Sequence, residues 1–96
     1  MELGGWQFEW DPEKARENFK KHKVTFTEAA SVFRDPDALD LVDRADPEKQ
    51  VLIGHSERAR LLFTVYVEVH GDVIRIISAR RATPEEHKEY ARHRKK

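Results

Sequence analysis

The sequence predicts an α+β domain: an N-terminal strand and two helices packed on an antiparallel sheet, with a C-terminal helix closing the chain. Two observations predict it. Helix-start signals stand at Asp11-Pro12, Thr25 and Thr83-Pro84, each opening a stretch with apolar residues at helical spacing. Between the second and third of them lie three runs of strand character, VLIGHS (51–56), RLLFTVYVEVH (60–70) and DVIRIISAR (72–80), joined by short turns.

Taken in order, WQFEW (6–10) alternates and reads as a first strand, with Trp6, Phe8 and Trp10 on one side. In DPEKARENFKKHK, Asp11 is an N-cap and Pro12 takes the first helical position, where a missing N–H costs nothing. Ala15, Phe19 and His22 then form an inward stripe at i, i+4 and i+7. Thr25 with Glu28 is a capping box, and Phe26, Ala29, Ala30 and Phe33 give the second helix an apolar face. Asp35-Pro36 ends that helix, because a residue before proline avoids helical angles. The acidic stretch 36–50 is a connection in which Leu39, Leu41 and Val42 are candidates for a brief edge strand.

The first two of the three runs are separated by a turn at Glu57-Arg58-Ala59, and the second and third by a hairpin at Gly71-Asp72. In the middle run, strict alternation sets Leu61, Phe63, Val65, Val67 and Val69 on the packed face, with Leu62, Thr64, Tyr66 and Glu68 on a partly wet one. In the last run it sets Ile74, Ile76, Ser78 and Arg80 together, opposite Arg75, Ile77, Ala79 and Arg81. Thr83, Pro84 and Glu86 open a terminal helix running to about Arg92.

The 96 residues, 39% hydrophobic and 38% charged, suit one small domain over 1–96 whose core is concentrated in few segments. Without cysteine there is neither disulfide nor thiolate chemistry. The start MELGGWQFEW lacks the basic and apolar regions of a signal peptide, and no run is long enough to cross a membrane, so the expectation is a soluble cytoplasmic protein. The formal charge of zero hides an asymmetry: residues 1–57 hold 13 acids and 8 bases, residues 58–96 hold 5 acids and 10 bases. A basic half on a neutral molecule suits a polyanion. Arg92, Arg94, Lys95 and Lys96 also read as a solvated tail, which leaves Arg58, Arg60, Arg75, Arg80 and Arg81 to be explained.

Arg80 and Arg81 end a strand just before a helix N-terminus, a place that favours anions. Two guanidinium forks there would match phosphate oxygens. The bland alternative is that they pair with Glu85, Glu86 or Glu89 and do nothing else. A second cationic cluster, Lys20, Lys21, His22 and Lys23, ends the first helix, where cations are favoured anyway. The two clusters meet only if that helix end lies near the end of the last strand.

The residue types exclude more than they include. There is no Gly-rich phosphate loop, no Cys–His zinc spacing and no paired histidines at metal-ligand spacing, so no metal and no cofactor is expected. RNA cleavage needs neither, because the 2′-hydroxyl is its own nucleophile. The protein must hold the phosphate in line, move two protons and stabilise the charge of the phosphorane. His22 is the candidate acid or base, arginines can only stabilise charge, and Glu57 at the turn is a further candidate base.

Three segments carry a resemblance: FEWDPEKARENFKKHKVTFTEAASVFRDP (8–36), IGHSERARLLFTVYVE (53–68) and IRIISARRATPEEHKEY (74–90). The specific features are Asn18, Lys21 and His22; Phe26, Glu28 and Ala29; and the ending Ile76 to Arg80, Ala82, Glu86 and Tyr90. In these the chain resembles the BrnT-type toxins, small ribonuclease toxins of bacterial type II toxin–antitoxin systems with a RelE-like fold. The resemblance implies a translation-inhibiting endoribonuclease, silenced in a hetero-oligomer by a cognate, BrnA-like antitoxin that carries a DNA-binding domain. Carried onto this chain, it makes Lys21, His22, Arg80 and Arg81 the catalytic candidates and Arg58 and Arg60 accessory phosphate contacts. A domain of this kind that has lost its chemistry and survives as antitoxin partner and co-repressor is the alternative.

Overall fold

The computed structural model describes residues 1–94; Lys95 and Lys96, the end of the basic tail, lie outside the described residues. The chain runs β1 (Glu2–Leu3), β2 (Trp6–Glu9), α1 (Pro12–His22), α2 (Phe26–Ser31), a 3₁₀ turn (Val32–Arg34), β3 (Leu39–Val42), β4 (Gln50–His55), β5 (Leu61–His70), β6 (Val73–Arg81) and α3 (Pro84–Arg94). The strands form one sheet in the order β1-β2-β6-β5-β4-β3.

The cap residues are those the sequence predicts, although the Thr25–Glu28 capping box is only half made, because the Glu28 carboxylate turns to Ser56 and Arg60. Asp11 accepts from the amide of Glu13, and Thr25 Oγ1 accepts from that of Glu28. Thr83 and Glu86 bond each other's backbone amides, closing the second capping box. Lys23 adopts a left-handed conformation (φ 59°) and ends α1.

Four sequence expectations change. The sheet is mixed, not antiparallel, because β2 enters beside β6 in parallel register, Gln7 to Glu9 against Val73 to Arg75. No hairpin links these two strands, so nothing local fixes their direction. On β5 the burial is reversed: Leu62, Thr64 and Tyr66 face the main core with Phe8, Phe26 and Ile76, while Phe63, Val65 and Val67 are only half-buried. The face with more aliphatic residues is covered only by α3, through Tyr90 and a small cluster of Val51, Ile53 and Leu61. On β6 the alternation breaks at Ile77, which is bulged: Tyr66 pairs with Ile76 and Val65 with Ser78. After the bulge Ala79 continues the main-core face begun by Ile74 and Ile76, so Ser78 and Arg80 change sides. On α1 the inward positions are Ala15 and Asn18, whereas Phe19 is 46% exposed.

Thr64 has no exposed surface, and its Oγ1 finds no hydrogen-bond partner among the described residues. Thr64→Val, which removes this stranded hydroxyl, is expected to raise the free energy of unfolding by about 1 kcal/mol. A chemical-denaturation midpoint equal to or below that of the parent would contradict it.

Candidate active site

The site begins with an asparagine in the middle of a helix. β2 pairs with β6 only as far as Arg75, which leaves the next residues of β6 without a strand on that side. Asn18 fills the gap. Its Oδ1 accepts from Ala79 N at 3.0 Å, and its Nδ2 donates to Ala79 O at 2.8 Å and to Val24 O at 3.0 Å. One side-chain amide thus replaces a neighbouring strand and ties the C-terminal half of α1 to the end of β6. Lys21 and His22, three and four residues on, share that side of the helix.

A second tie comes from β5. Arg60, just before it, forms a partly buried ion pair with Glu28 through two nitrogens and donates to Lys23 O at 3.2 Å. Glu28 also accepts from Ser56 Oγ at 2.7 Å, and Ser31 Oγ accepts from the amide of Glu57 at 2.8 Å. This network locks the β4–β5 turn against the α1–α2 junction. In the sheet, Leu62 pairs with Arg81. The end of α1, the start of β5 and the end of β6 therefore converge.

Along α1, meeting β6 at Ser78, lies an open groove of about 590 Å3, lined by Lys14, Asn18, Lys20, Lys21 and His22 together with the acids Glu13 and Glu17. Neither Arg80 nor Arg81 is among its lining residues. The two arginines part company here. Arg81 is exposed, lies opposite the core residue Leu62, and makes no side-chain hydrogen bond or ion pair among the described residues. Arg80 lies opposite Phe63 on the α3 face, its guanidinium 4.0 Å from the Phe63 ring centre, and grips Glu86 with bonds of 2.8 and 3.0 Å. That is the bidentate geometry a phosphate would also use.

Of the residues singled out from sequence, Lys21 and His22 border the groove and Arg81 ends the adjoining strand. Arg80 lies on the α3 face, outside the groove lining, and is occupied by Glu86, while Arg60 is occupied by Glu28. Glu57 and Arg58 sit exposed on the β4–β5 turn, where Glu57 borders a separate shallow pocket with Ser31 and His55. Sequence reasoning foresaw Glu86 both as a cap and as a partner of Arg80, but it passed over the bracket made by Asn18 and the pairing of Glu28 with Arg60, although both residues stood in the quoted motifs. The available signal was a poor helix former, asparagine, placed mid-helix without a cap to make.

The carboxylates of these networks titrate low. Burial works to raise the pKa of Glu28; the hydrogen bonds from Arg60 and Ser56 and the charges of Arg60 and Arg58 outweigh it, holding the group below its ordinary 4.5. Glu86 is lowered in the same way, with Arg80 and Thr83 overcoming burial. Asp35 is lowered too: against burial it accepts from the amides of His55 and Asp37 and from the hydroxyl of Tyr90, which pins α3 to the sheet. A carboxyl whose folded-state pKa is depressed contributes stability above its unfolded value and loses it as pH falls through the folded one. The melting temperature is therefore expected to be level between roughly pH 5 and 7 and to fall steeply toward pH 3, with a shallower acid limb in Glu28→Gln. A melting temperature as high near pH 3 as near pH 7 would contradict it.

A family model described as the ribonuclease toxin BrnT of type II toxin–antitoxin systems matches residues 10–86. The chain belongs to this family. Membership makes it a ribonuclease toxin of a type II system, with RNA as substrate and a cognate antitoxin. Among solved structures, the ribonuclease toxin BrnT of Brucella abortus is similar with a TM-score of 0.67, over 81% of this chain and 97% of that one. At 20% identity that likeness shows a common fold. No curated protein matches the chain. In family terms the matched segment spans the whole site, from Trp10 before α1 to Glu86 on α3.

Proposed function

We propose that this chain is a metal-independent endoribonuclease whose cleavage of RNA inhibits translation and is silenced by an antitoxin bearing a DNA-binding domain. The observation that carries the reading is the Asn18 bracket on Ala79, because it sets Lys21 and His22 against the strand that ends in Arg80 and Arg81. In this reading a backbone phosphate lies in the groove. Lys21 and Arg81 neutralise its charge and that of the pentacoordinate state that follows. His22 takes the 2′-hydroxyl proton or returns one to the leaving 5′-oxygen, and the 2′-oxygen attacks phosphorus to leave a 2′,3′-cyclic phosphate. Arg80 joins when the phosphate displaces Glu86.

The test is cleavage of a single-stranded RNA by the purified chain in excess chelator, with the product ends identified. Cyclic phosphate ends that persist without divalent metal are expected. Cleavage abolished by chelation would end the metal-independent mechanism.

One observation favours the alternative, a silent module that only partners an antitoxin: Arg60 and Arg80 are both held by carboxylates in the free chain. If the chain binds its antitoxin but never cuts purified RNA, the silent reading stands and the enzymatic one falls.

A further inference from the structure

On the other flank of α1, toward α2, runs a second groove of about 430 Å3, and its character is different. Its floor is Trp10, Ala15, Phe19 and Phe26, and at its rim stand Lys20 and Arg16, the latter paired with Glu13 outside the lining. Trp10 meets Phe26 edge-on with ring centres 6.0 Å apart, so the floor is rigid. Phe19 is the anomaly. A large aromatic ring is left 46% exposed on a helix rich in cations, with the ammonium of Lys23 5.6 Å from its centre. An exposed ring framing an apolar groove marks a binding surface.

We propose that this groove seats an acidic amphipathic helix of the antitoxin. The inference rests on the toxin–antitoxin reading and says where, and with what chemistry, the partner docks. Three features select this occupant. Apolar side chains at helical spacing suit a groove between two helices. Lys20, without an ion-pair partner among the described residues, complements acids on the partner's flank and disfavours a second copy of this chain, which would bring the same cation to the rim. A nucleobase is disfavoured because its edges carry several donors and acceptors: the floor side chains offer no acceptor, the hydroxyl of Thr25 already serves Glu28 N at 3.0 Å, and that of Thr27 is the one side-chain oxygen left among the lining residues. Lys20 borders this groove and the cationic one alike, so a helix seated here lies at the lip of the site that holds Lys21 and His22. Neutralisation then needs no change of fold, only occlusion.

The experiment uses the full chain and, as probe, the polypeptide encoded by the reading frame adjacent to its gene. Phe19→Asp is expected to weaken the complex by about 100-fold and Phe19→Leu by less than about fivefold, since an exposed ring can be replaced without loss of the core. Lys20→Glu is expected to weaken it about tenfold, with most of that difference gone at high salt. Phe19→Asp is also expected to cut single-stranded RNA as fast as the parent. If Phe19→Asp binds the polypeptide as tightly as the parent, the groove is not the docking site. If it instead loses RNA affinity while holding the polypeptide, the groove belongs to the nucleic acid and the proposal is overturned. If the parent chain itself binds no such polypeptide, the toxin–antitoxin reading falls and takes this inference with it.

Discussion

Asn18→Leu is expected to cost about 3 kcal/mol of folding stability and to disable RNA cleavage even where the chain remains folded. The energetic argument is one of stranded partners. Asn18 is buried, 7% exposed, and satisfies Ala79 N, Ala79 O and Val24 O at the one place where β6 lacks a neighbouring strand. Leucine fits the volume but leaves three backbone groups in a dry setting, each costing about 1–3 kcal/mol less whatever water can reach it. The catalytic argument is one of position. Without the bracket α1 keeps only its apolar packing, through Ala15, against the core beneath β6, and a shift of even about 1 Å between catalytic groups is worth about 100-fold in rate. Denaturation would give the first quantity, and cleavage assayed well below the melting temperature the second. A variant that is destabilised yet cuts at the parent rate would show that the bracket serves the fold alone.

The second large effect separates two adjacent arginines. Arg81→Ala is expected to lower RNA cleavage by about 100-fold, the usual consequence of removing one preorganised charge-stabilising donor. It should change stability by less than about 0.5 kcal/mol, because the side chain is exposed and without a partner among the described residues. Arg80→Ala should behave differently. It strips the guanidinium from Glu86, whose side chain is only 15% exposed, and removes the cation from the face of Phe63. A stability loss of about 1 kcal/mol is expected, discounted because Arg80 is itself about one-third exposed. Equal losses of activity and equal stabilities in the two variants would contradict the division of roles between the two faces of the sheet.

The face on which each residue lies is where the sequence proved least legible. Counting apolar residues along β5 favours the side of Phe63, Val65 and Val67, yet the main core is built on Leu62, Thr64 and Tyr66. Side-chain type records what can be buried. It does not record that two helices cover one face of the sheet and a single helix the other. The same limit applies to β6, where the bulge at Ile77 moves Ser78 and Arg80 across the sheet without any glycine or proline to announce it. Phe19 reads as core by its spacing, but α1 lies along the free edge of β6, so that its buried line is narrow and runs through Ala15 and Asn18.

The local signals were read correctly because they are closed within a few residues. Asp11, Thr25 and the pair Thr83 and Glu86 satisfy orphan amides of their own helices, and no tertiary contact is needed to decide that. The sequence by itself therefore determined the helix starts, the consecutive strands, the basic second half and, through its motifs, the family. Only the tertiary structure decided which cations are free. Arg60 and Arg80 look alike with Arg81 in the chain, but each meets a carboxylate from another element, Glu28 and Glu86, while Arg81 is left to solvent. The physical reason is that an ion pair is settled by distance in space. The strand β6, by running alongside both β5 and the end of α1, sets those distances.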